Sequence, residues 1–311
     1  MSITSAREEP ETATAPASGE TSGSGPDVNA PNSSKALLLG LIPMGTLLAV
    51  FFIIPLIVMV LYSLWRMDGF DVVPEWTLQN YRAFAGLNMY TRVILKTMGI
   101  SLAVTVLGLL IGYPLAYSLV RHVGKKWQLP LLVLVMIPFW TSYLLRVYAW
   151  MAILGRKGLI NQVLLSLGII QEPLTFLLYN VYAVMIVFLY LYLPFVVVTI
   201  YATLEKFDFT QVDAAMDLGA RPLRAFWEIT LPQTKQGIIT AAMLVSIPML
   251  GEYIAPKLVG GTSGTVTAIM IVNLFKNFQF PQGSAVALGI ATFIIVVLFG
   301  LRKYTRIEEM Y

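Results

Sequence analysis

The chain has 311 residues, of which 57% are hydrophobic and only 12% are charged, against roughly 25% charged residues in an average soluble domain. It contains no cysteine and a single histidine, which excludes disulfides and thiol chemistry and leaves too few ligands for a histidine-based metal cluster. The formal net charge is +4, but the basic residues lie beside apolar blocks and form no single stripe, which argues against nucleic-acid binding.

Residues 1–35 are rich in Ser, Thr, Ala, Pro, Gly and Glu and contain almost no large apolar side chain. Such a segment buries too little apolar surface to fold, so we expect a disordered tail on the cytoplasmic side. A cleavable signal peptide would need an apolar run directly after a basic start, and Arg7, Glu8 and Glu9 break that plan. The first apolar block is therefore expected to remain in the protein.

The remainder, 36–311, contains six apolar blocks that are each long enough to cross a hydrocarbon core about 30 Å thick. They lie at 36–64, 93–120, 129–154, 176–201, 236–258 and 284–301. This pattern predicts an all-α integral membrane protein with six transmembrane helices. Lys and Arg residues such as Lys35, Arg121 and Lys206 concentrate at one set of span ends, and the cytoplasmic side normally carries that excess. Both termini are therefore predicted to be cytoplasmic.

The stretch between the fourth and fifth predicted spans, 205–235, is too polar to cross a membrane and too regular to be a structureless linker. It predicts two short helices. Asp208 is expected to cap the first helix, with Gln211 completing a capping box. Gly219 is suited to the left-handed conformation that ends this helix, and Pro222 is suited to the first turn of the second.

The order of residues in this stretch resembles the EAA loop of the permease subunits of type I ABC importers. The family pattern is EAA, three residues, Gly, nine residues, and Ile-x-Leu-Pro. The matching positions are Asp213, Ala214, Ala215, Gly219, Ile229, Leu231 and Pro232. Asp213 stands where Glu is usual, which keeps the charge on a shorter side chain, and Pro232 also suits the end of the second helix. The alternative is an interfacial helical hairpin that caps the bundle.

The resemblance implies a type I ABC importer permease fold in a bacterial inner membrane, surrounded by lipid, in which 205–235 is a cytoplasmic coupling loop that docks on an ATPase. It also implies two ATP-binding subunits, a second and different permease subunit, and a periplasmic solute-binding protein. The chain lacks the G-x-x-x-x-G-K-[ST] pattern that binds nucleotide phosphates. We therefore expect a subunit that is not catalytic and binds no cofactor, with ATP and Mg²⁺ held by the partner ATPase.

Segments 137–161, 171–180 and 251–261 are similar to the putrescine and spermidine branch of these permeases. A route for a cation needs carboxylates and aromatic faces, and Glu252 is the acidic residue well inside a predicted span. The expected substrate pathway contains Glu252 and the aromatic residues Trp140, Tyr143, Tyr148, Trp150, Tyr182, Tyr190 and Tyr192. The aromatic residues are equally typical of membrane interfaces, so both interpretations stay open.

Several alternatives to this pathway remain. Glu252 can instead pair with Lys257 or Arg146 and have a structural role. The cargo can be another small solute, such as an amino-acid derivative or an opine. An ion-coupled secondary transporter would show repeated halves with intramembrane acids, whereas this sequence has one such acid and no clear repeat.

Overall fold

The computed structural model describes residues 42–82 and 88–306. The predicted disordered tail, 1–35, lies outside the described residues. The chain divides into two units, Met1–Pro55 and Leu56–Tyr311. The described part of the first unit, 42–55, is helical, and both candidate sites lie in the second unit.

Helices dominate the described residues, with one two-stranded sheet. In chain order the elements are α1 (Ile42–Ser63), β1 (Trp65–Asp68), β2 (Asp71–Trp76), α2 (Gln79–Arg82), α3 (Met89–His122), α4 (Lys125–Met136), α5 (Tyr143–Leu154), α6 (Leu159–Ser166), α7 (Val181–Leu204), α8 (Thr210–Asp217), α9 (Pro222–Ala225), α10 (Leu231–Leu250), α11 (Ile254–Val259), α12 (Thr267–Lys276) and α13 (Phe280–Arg306). A 3₁₀ turn, Ile137–Trp140, follows α4, and π-helical turns occur at Ala49–Ile53 and Phe226–Thr230.

The small antiparallel hairpin of β1 and β2 was not predicted from the sequence. Its tight turn contains Gly69 at a positive φ of 62°, a conformation that glycine adopts without steric cost. The buried Asn80 of α2 donates hydrogen bonds to the backbone carbonyls of Ser63 at 2.9 Å and Trp65 at 2.8 Å. These long-range bonds hold the hairpin at the end of α1, and they cannot be predicted from a local sequence pattern.

Four of the described helices are long and apolar enough to cross a membrane, namely α1, α3, α7 and the part of α13 from Phe280 to Gly300. They correspond to the predicted spans 36–64, 93–120, 176–201 and 284–301. The mostly helical architecture expected from the sequence is confirmed.

The third predicted span, 129–154, is not one straight helix. The helical segments Lys125–Trp140 and Tyr143–Ser166 are bent by 89° where they meet. At the break, the hydroxyl of Thr141 donates a hydrogen bond of 2.7 Å to the carbonyl of Pro138. The Thr141 N–H donates to the same carbonyl at 3.3 Å, so both donors of Thr141 close the end of the interrupted helix.

The fifth predicted span, 236–258, is also interrupted. Helix α10 ends at Leu250, where the Gly251 N–H donates to the carbonyl of Pro248 at 3.1 Å, and α11 begins at Ile254. The break places Glu252 between two helices and not inside one. The count of six spans remains a prediction, because these two segments do not form continuous spanning helices in the described residues.

The hydrophobic core lies where α3, α7 and α10 pack together. Both α3 and α7 begin at an asparagine whose side chain accepts a hydrogen bond from the first turn, Asn88 from the Thr91 N–H and Asn180 from the Ala183 N–H. The largest fully buried side chains of the core include Val104, Val184, Phe188, Ile200, Leu204, Val245 and Met249. A hydrogen bond of 2.7 Å also joins the buried hydroxyls of Tyr113 in α3 and Thr234 in α10.

Small residues let these helices approach closely, as is common in membrane bundles. A Cβ atom added to Gly112 of α3 would lie 2.7 Å from a methyl carbon of Val196 in α7. On the α10 side, a Cβ at Gly237 would overlap the side chain of Thr203. The two glycines therefore set the distance of α3 and α10 from α7.

Replacing Gly112 by valine should destabilise the bundle, because overpacking of this kind costs about 1–3 kcal/mol. The matched control is Gly99→Val on the same helix, where an added Cβ meets no atom within 4 Å. The free energy of unfolding in detergent micelles measures the difference. Equal effects of the two substitutions would contradict the close approach of α3 and α7 at Gly112.

Candidate functional site

The coupling loop contains the first of two candidate sites, and it begins with helix α8. The helix ends in a Schellman motif, in which the Gly219 N–H donates to the Met216 carbonyl at 2.9 Å and the Ala220 N–H to the Ala215 carbonyl at 3.0 Å. Gly219 has a φ of +91°, so the left-handed conformation expected of it is confirmed. The chain then turns sharply, and Pro222 is the first residue of α9, as predicted.

The predicted capping box is wrong. The residue that precedes α8 is Phe209, and it makes no side-chain cap. Asp208 instead accepts hydrogen bonds from the hydroxyl of Thr210 at 2.7 Å and from its N–H at 3.0 Å, which lower the pKa of Asp208 below its usual value. The side chain of Gln211 accepts a hydrogen bond of 2.7 Å from Gln233 at the start of α10. A partner 22 residues away has displaced the local contact that the capping pattern predicted.

The prediction that Pro232 ends the second helix is also wrong. Helix α9, the π-helical turn Phe226–Thr230 and α10 follow one another without a gap. A proline inside an α-helix clashes with the carbonyl four residues earlier. Here the preceding turn is widened, and the Leu231 N–H reaches back five residues to the Phe226 carbonyl. The wider turn lets the helix continue through Pro232.

The coupling loop exposes an apolar face that the motif does not include. Leu218, Leu223 and Trp227 are 90%, 70% and 59% exposed, although large apolar side chains in a polar loop are normally covered. Of the motif residues, Ala214, Gly219 and Pro232 are exposed, whereas Asp213, Ala215, Ile229 and Leu231 are half-buried. The presence of a tryptophan and two leucines in a loop too polar to span was the signal for this face.

Asp213 is held within the chain. Its carboxylate pairs with the guanidinium of Arg121 in the last turn of α3, through an Nη1–Oδ2 hydrogen bond of 3.3 Å and a second bond between Nη2 and Oδ1. The two residues are 92 positions apart in the chain, so neither the motif nor the local pattern predicted their contact.

The second candidate site surrounds Glu252, which lies in the break between α10 and α11. The expectation that Glu252 is inside a spanning helix is wrong. Its Oε1 accepts a hydrogen bond of 2.9 Å from the Ile254 N–H at the start of α11. Among the described residues, no ion pair within 4.0 Å joins Glu252 to Lys257 or Arg146. The carboxylate therefore keeps capacity to accept a donor.

Two of the predicted aromatic residues lie near this carboxylate. The hydroxyl groups of Tyr143 in α5 and Tyr192 in α7 both lie within the electrostatic influence of Glu252, and that of Tyr143 faces it directly. The Tyr143 hydroxyl is buried, and it makes no hydrogen bond of normal geometry within the described part of the chain. Together these three residues form what we call the Glu252 cluster. A buried hydroxyl whose hydrogen bonding is imperfect is costly, and a bound ligand would relieve that cost.

Arg146 lies at the edge of the Glu252 cluster. Its guanidinium carbon is 4.6 Å from the ring centre of Phe139 and 5.8 Å from that of Tyr143, and Phe139 packs in turn on Phe195 of α7 at 4.6 Å. Aromatic faces thus stabilise the positive charge of Arg146, which makes no ion pair with Glu252 in the described part of the chain. Sequence reasoning missed Phe139 and Phe195, which carry no signal that separates them from ordinary apolar residues of a span.

The other predicted pathway residues are not gathered here. Trp150 packs on Tyr190 with ring centres 5.3 Å apart, beside the hydrophobic core. Trp140, Tyr148 and Tyr182 are exposed. The structure does not distinguish whether these five residues belong to a membrane interface or to the substrate pathway.

An open cavity of about 900 Å³ lies at the opposite end of α7 and α10, next to the coupling loop. Its lining is mixed: it includes Val198, Ala202 and Phe207 as well as Lys206, Asp208, Gln211 and Gln236. Charged and amide side chains are costly on a surface that faces lipid, so their presence indicates contact with water or with a polar molecule.

Known proteins resemble this chain over most of its length. Residues 105–304 match the family described as binding-protein-dependent transport system inner membrane component. The spermidine/putrescine transport system permease protein PotB of Haemophilus influenzae is 34% identical over 252 residues, which cover 80% of this chain and 87% of that protein. PotB of Escherichia coli is 35% identical over 248 residues, with 79% of this chain and 88% of that protein covered.

Two solved structures share the fold. A bacterial ABC transporter involved in the import of the acidic polysaccharide alginate has a chain that aligns with a TM-score of 0.67 and 17% identity, covering 88% of this chain and 96% of that chain. The alginate transporter in complex with an alginate pentasaccharide-bound periplasmic protein gives a TM-score of 0.68 at 18% identity, with the same coverage. At this identity the likeness concerns the fold alone.

Proposed function

The chain belongs to the family of binding-protein-dependent transport system inner membrane components, and from this we propose that it is the permease subunit of an ATP-driven importer for polyamines. The polyamine is spermidine, putrescine or a close relative, delivered to the permease by a periplasmic binding protein. The subunit moves the solute by alternating access and catalyses no reaction itself.

The coupling loop carries the proposal. The short helix that ends at Gly219 exposes Leu218, and the helical turns that follow it expose Leu223 and Trp227. Such a face favours a protein partner that covers apolar side chains, and in an ABC importer that partner is the ATPase. ATP and Mg²⁺ are bound by two such ATPase subunits. When ATP closes the pair, the coupling loops move and the membrane helices open towards the binding protein.

The remaining partners and the orientation are part of the same proposal. A second, different permease subunit completes the pathway. Arg121 pairs with Asp213 of the coupling loop, Lys206 lies within the loop, and Lys125 and Lys126 follow Arg121 at the start of α4. An excess of Lys and Arg favours the cytoplasmic side. The proposal therefore has both termini in the cytoplasm and the cavity beside Lys206 as the exit for the solute.

The cargo assignment rests on the likeness to the PotB proteins and on the chemistry of the Glu252 cluster. A polyamine carries ammonium groups that need acceptors and aromatic faces once they leave water. Glu252 offers a carboxylate that has no ion pair among the described residues, and the hydroxyl of Tyr143 offers an oxygen beside it. This combination suits an organic cation better than the anionic solutes that other members of the fold carry.

Reconstitution tests the proposal directly. The permease is placed in vesicles with the matching ATPase, second permease and binding protein, and ATP hydrolysis and uptake are measured with spermidine. We expect spermidine-loaded binding protein to stimulate both. Uptake that needs an ion gradient and no ATP would show a secondary transporter instead, and stimulation by another solute alone would remove polyamines as the cargo.

Replacing Gly219 by tryptophan should weaken association with the ATPase by about tenfold or more, since the bulky side chain stands on the face proposed to dock. The control is Gly168→Trp. Gly168 also has a positive φ, +67°, and also ends a helix with open space around it, but it lies outside the coupling loop. Co-purification of ATPase with each variant measures association. If both variants retained the same amount of ATPase, Gly219 would be excluded from the docking surface.

Replacing Glu252 by glutamine should lower spermidine uptake by about ten- to a hundredfold in kcat/KM, because hydrogen bonds to a charged group contribute about 1.5–3 kcal/mol. Glu172→Gln makes the same chemical change at an exposed position between α6 and α7 and should leave uptake unchanged. Normal uptake by the Glu252 variant would exclude this residue from the pathway.

A further inference from the structure

We propose that the ion pair between Arg121 and Asp213 is a latch that fixes the coupling loop to α3 and transmits its movement into the membrane helices. The proposal rests on the proposed function, because it assigns a positioning role within the ATP-driven cycle. It differs from the role that the EAA resemblance implies for Asp213, which is docking on the ATPase.

The geometry of the pair supports a rigid link. Both nitrogens of the Arg121 fork face both oxygens of Asp213, a bidentate arrangement that fixes direction as well as distance. The side chains are only 28% and 46% exposed. Arg121 also stands in the last turn of α3, where the helix dipole favours a positive charge. Each of these features separates the pair from a casual surface contact.

An aromatic layer extends the link across the loop. The Arg121 guanidinium carbon lies 5.2 Å from the ring centre of Phe209, which directly precedes α8. Phe209 packs on Tyr117 of α3 at 5.8 Å, and Tyr117 packs on Phe226 at 6.0 Å, at the start of the π-helical turn. Tyr113 of α3 also contacts Phe226 at 5.5 Å. Both halves of the coupling loop are therefore anchored on one helix, α3.

The same loop contains an ion pair of a different kind. Arg224 and Glu228 are four residues apart, both are well exposed, and their bond of 2.8 Å joins two neighbouring turns of the loop. Such a pair cannot transmit movement out of the loop. Only the Arg121–Asp213 pair, among the ion pairs of the described residues, joins the loop to a membrane-spanning helix.

A division of labour within the loop follows. Both carboxylate oxygens of Asp213 are occupied inside the chain, while Leu218, Leu223 and Trp227 project outward. The outward residues meet the ATPase, and Asp213 passes the displacement to α3. Because α3 packs extensively on α7 and α10, movement at Arg121 reaches the core of the bundle.

The test uses the complete transporter in vesicles, with Asp213→Asn and Arg121→Gln as separate variants. Each should still co-purify with the ATPase and hydrolyse ATP, but spermidine taken up per ATP hydrolysed should fall about tenfold, within the usual range of coupling between sites. The control is Lys125→Gln, which removes a positive charge four residues after Arg121 from an exposed side chain and should change nothing.

A charge exchange, Arg121→Asp combined with Asp213→Arg, distinguishes loss of the ion pair from a general loss of folding. It should restore uptake per ATP to within about threefold of the wild type, whereas a merely structural disturbance would leave the double variant as poor as either single one. An Asp213→Asn variant that loses the ATPase while Arg121→Gln keeps it would overturn the latch in favour of direct docking by Asp213.

The remaining outcomes separate the latch from the function on which it rests. If the wild-type complex hydrolyses ATP and imports spermidine, but both single variants keep the normal uptake per ATP, the latch alone is wrong. If the wild-type permease neither retains the ATPase nor imports spermidine with ATP, the proposed function fails and the latch fails with it.

Discussion

In a hydrocarbon layer each backbone N–H and C=O must find its partner inside the protein, and the arrangement of this chain depends on that constraint. It favours uninterrupted helices such as α3 and α7. It also makes each interruption conspicuous, because the freed groups need another partner. At the two breaks in predicted spans, Thr141 pairs with the Pro138 carbonyl and Glu252 with the Ile254 N–H. The side chains that pair the backbone are polar, so the breaks also bring polar groups into otherwise apolar segments.

The two breaks meet in the Glu252 cluster. Tyr143 begins the helix that follows the first break, and Glu252 lies in the second. The close approach of α3 to α7 at Gly112 keeps α7 in place, and α7 supplies Tyr192 to the same cluster. Removing water from this region strengthens every electrostatic interaction within it. Helix α7 therefore takes part both in the close packing at Gly112 and in the Glu252 cluster.

The features that were predictable from sequence are those determined by a few neighbouring residues. The left-handed turn at Gly219 and the helix start at Pro222 follow from backbone preferences that no tertiary contact opposes. The long apolar stretches of α1, α3, α7 and α13 were recognisable from composition. The family pattern in the coupling loop was recognisable from spacing, and it led to the correct family.

The features that were missed depend on partners far away in the chain. Gln211 left its expected capping role for Gln233, and Asp213 pairs with Arg121 across 92 residues. The break at Gly251 could not be read from 236–258, because an apolar composition does not say where a helix is interrupted. Pro232 was placed at a helix end because proline usually is, whereas a single π-helical turn accommodates it. Six spans and the placement of the termini remain predictions.

The π-helical turn at Phe226–Thr230 has a consequence for how this loop can vary in length. A π-helical turn holds one residue more than the α-helical turn that it replaces, so losing one residue here would restore a regular α-helix without rotating α10. Inserting a further residue would exceed what one wide turn absorbs, and because each residue of an α-helix advances the chain by about 100°, α10 would rotate by about that angle. Gly237 would then leave its place against Thr203, and Thr234 would leave Tyr113. At Phe226–Thr230 the loop therefore tolerates a deletion better than an insertion.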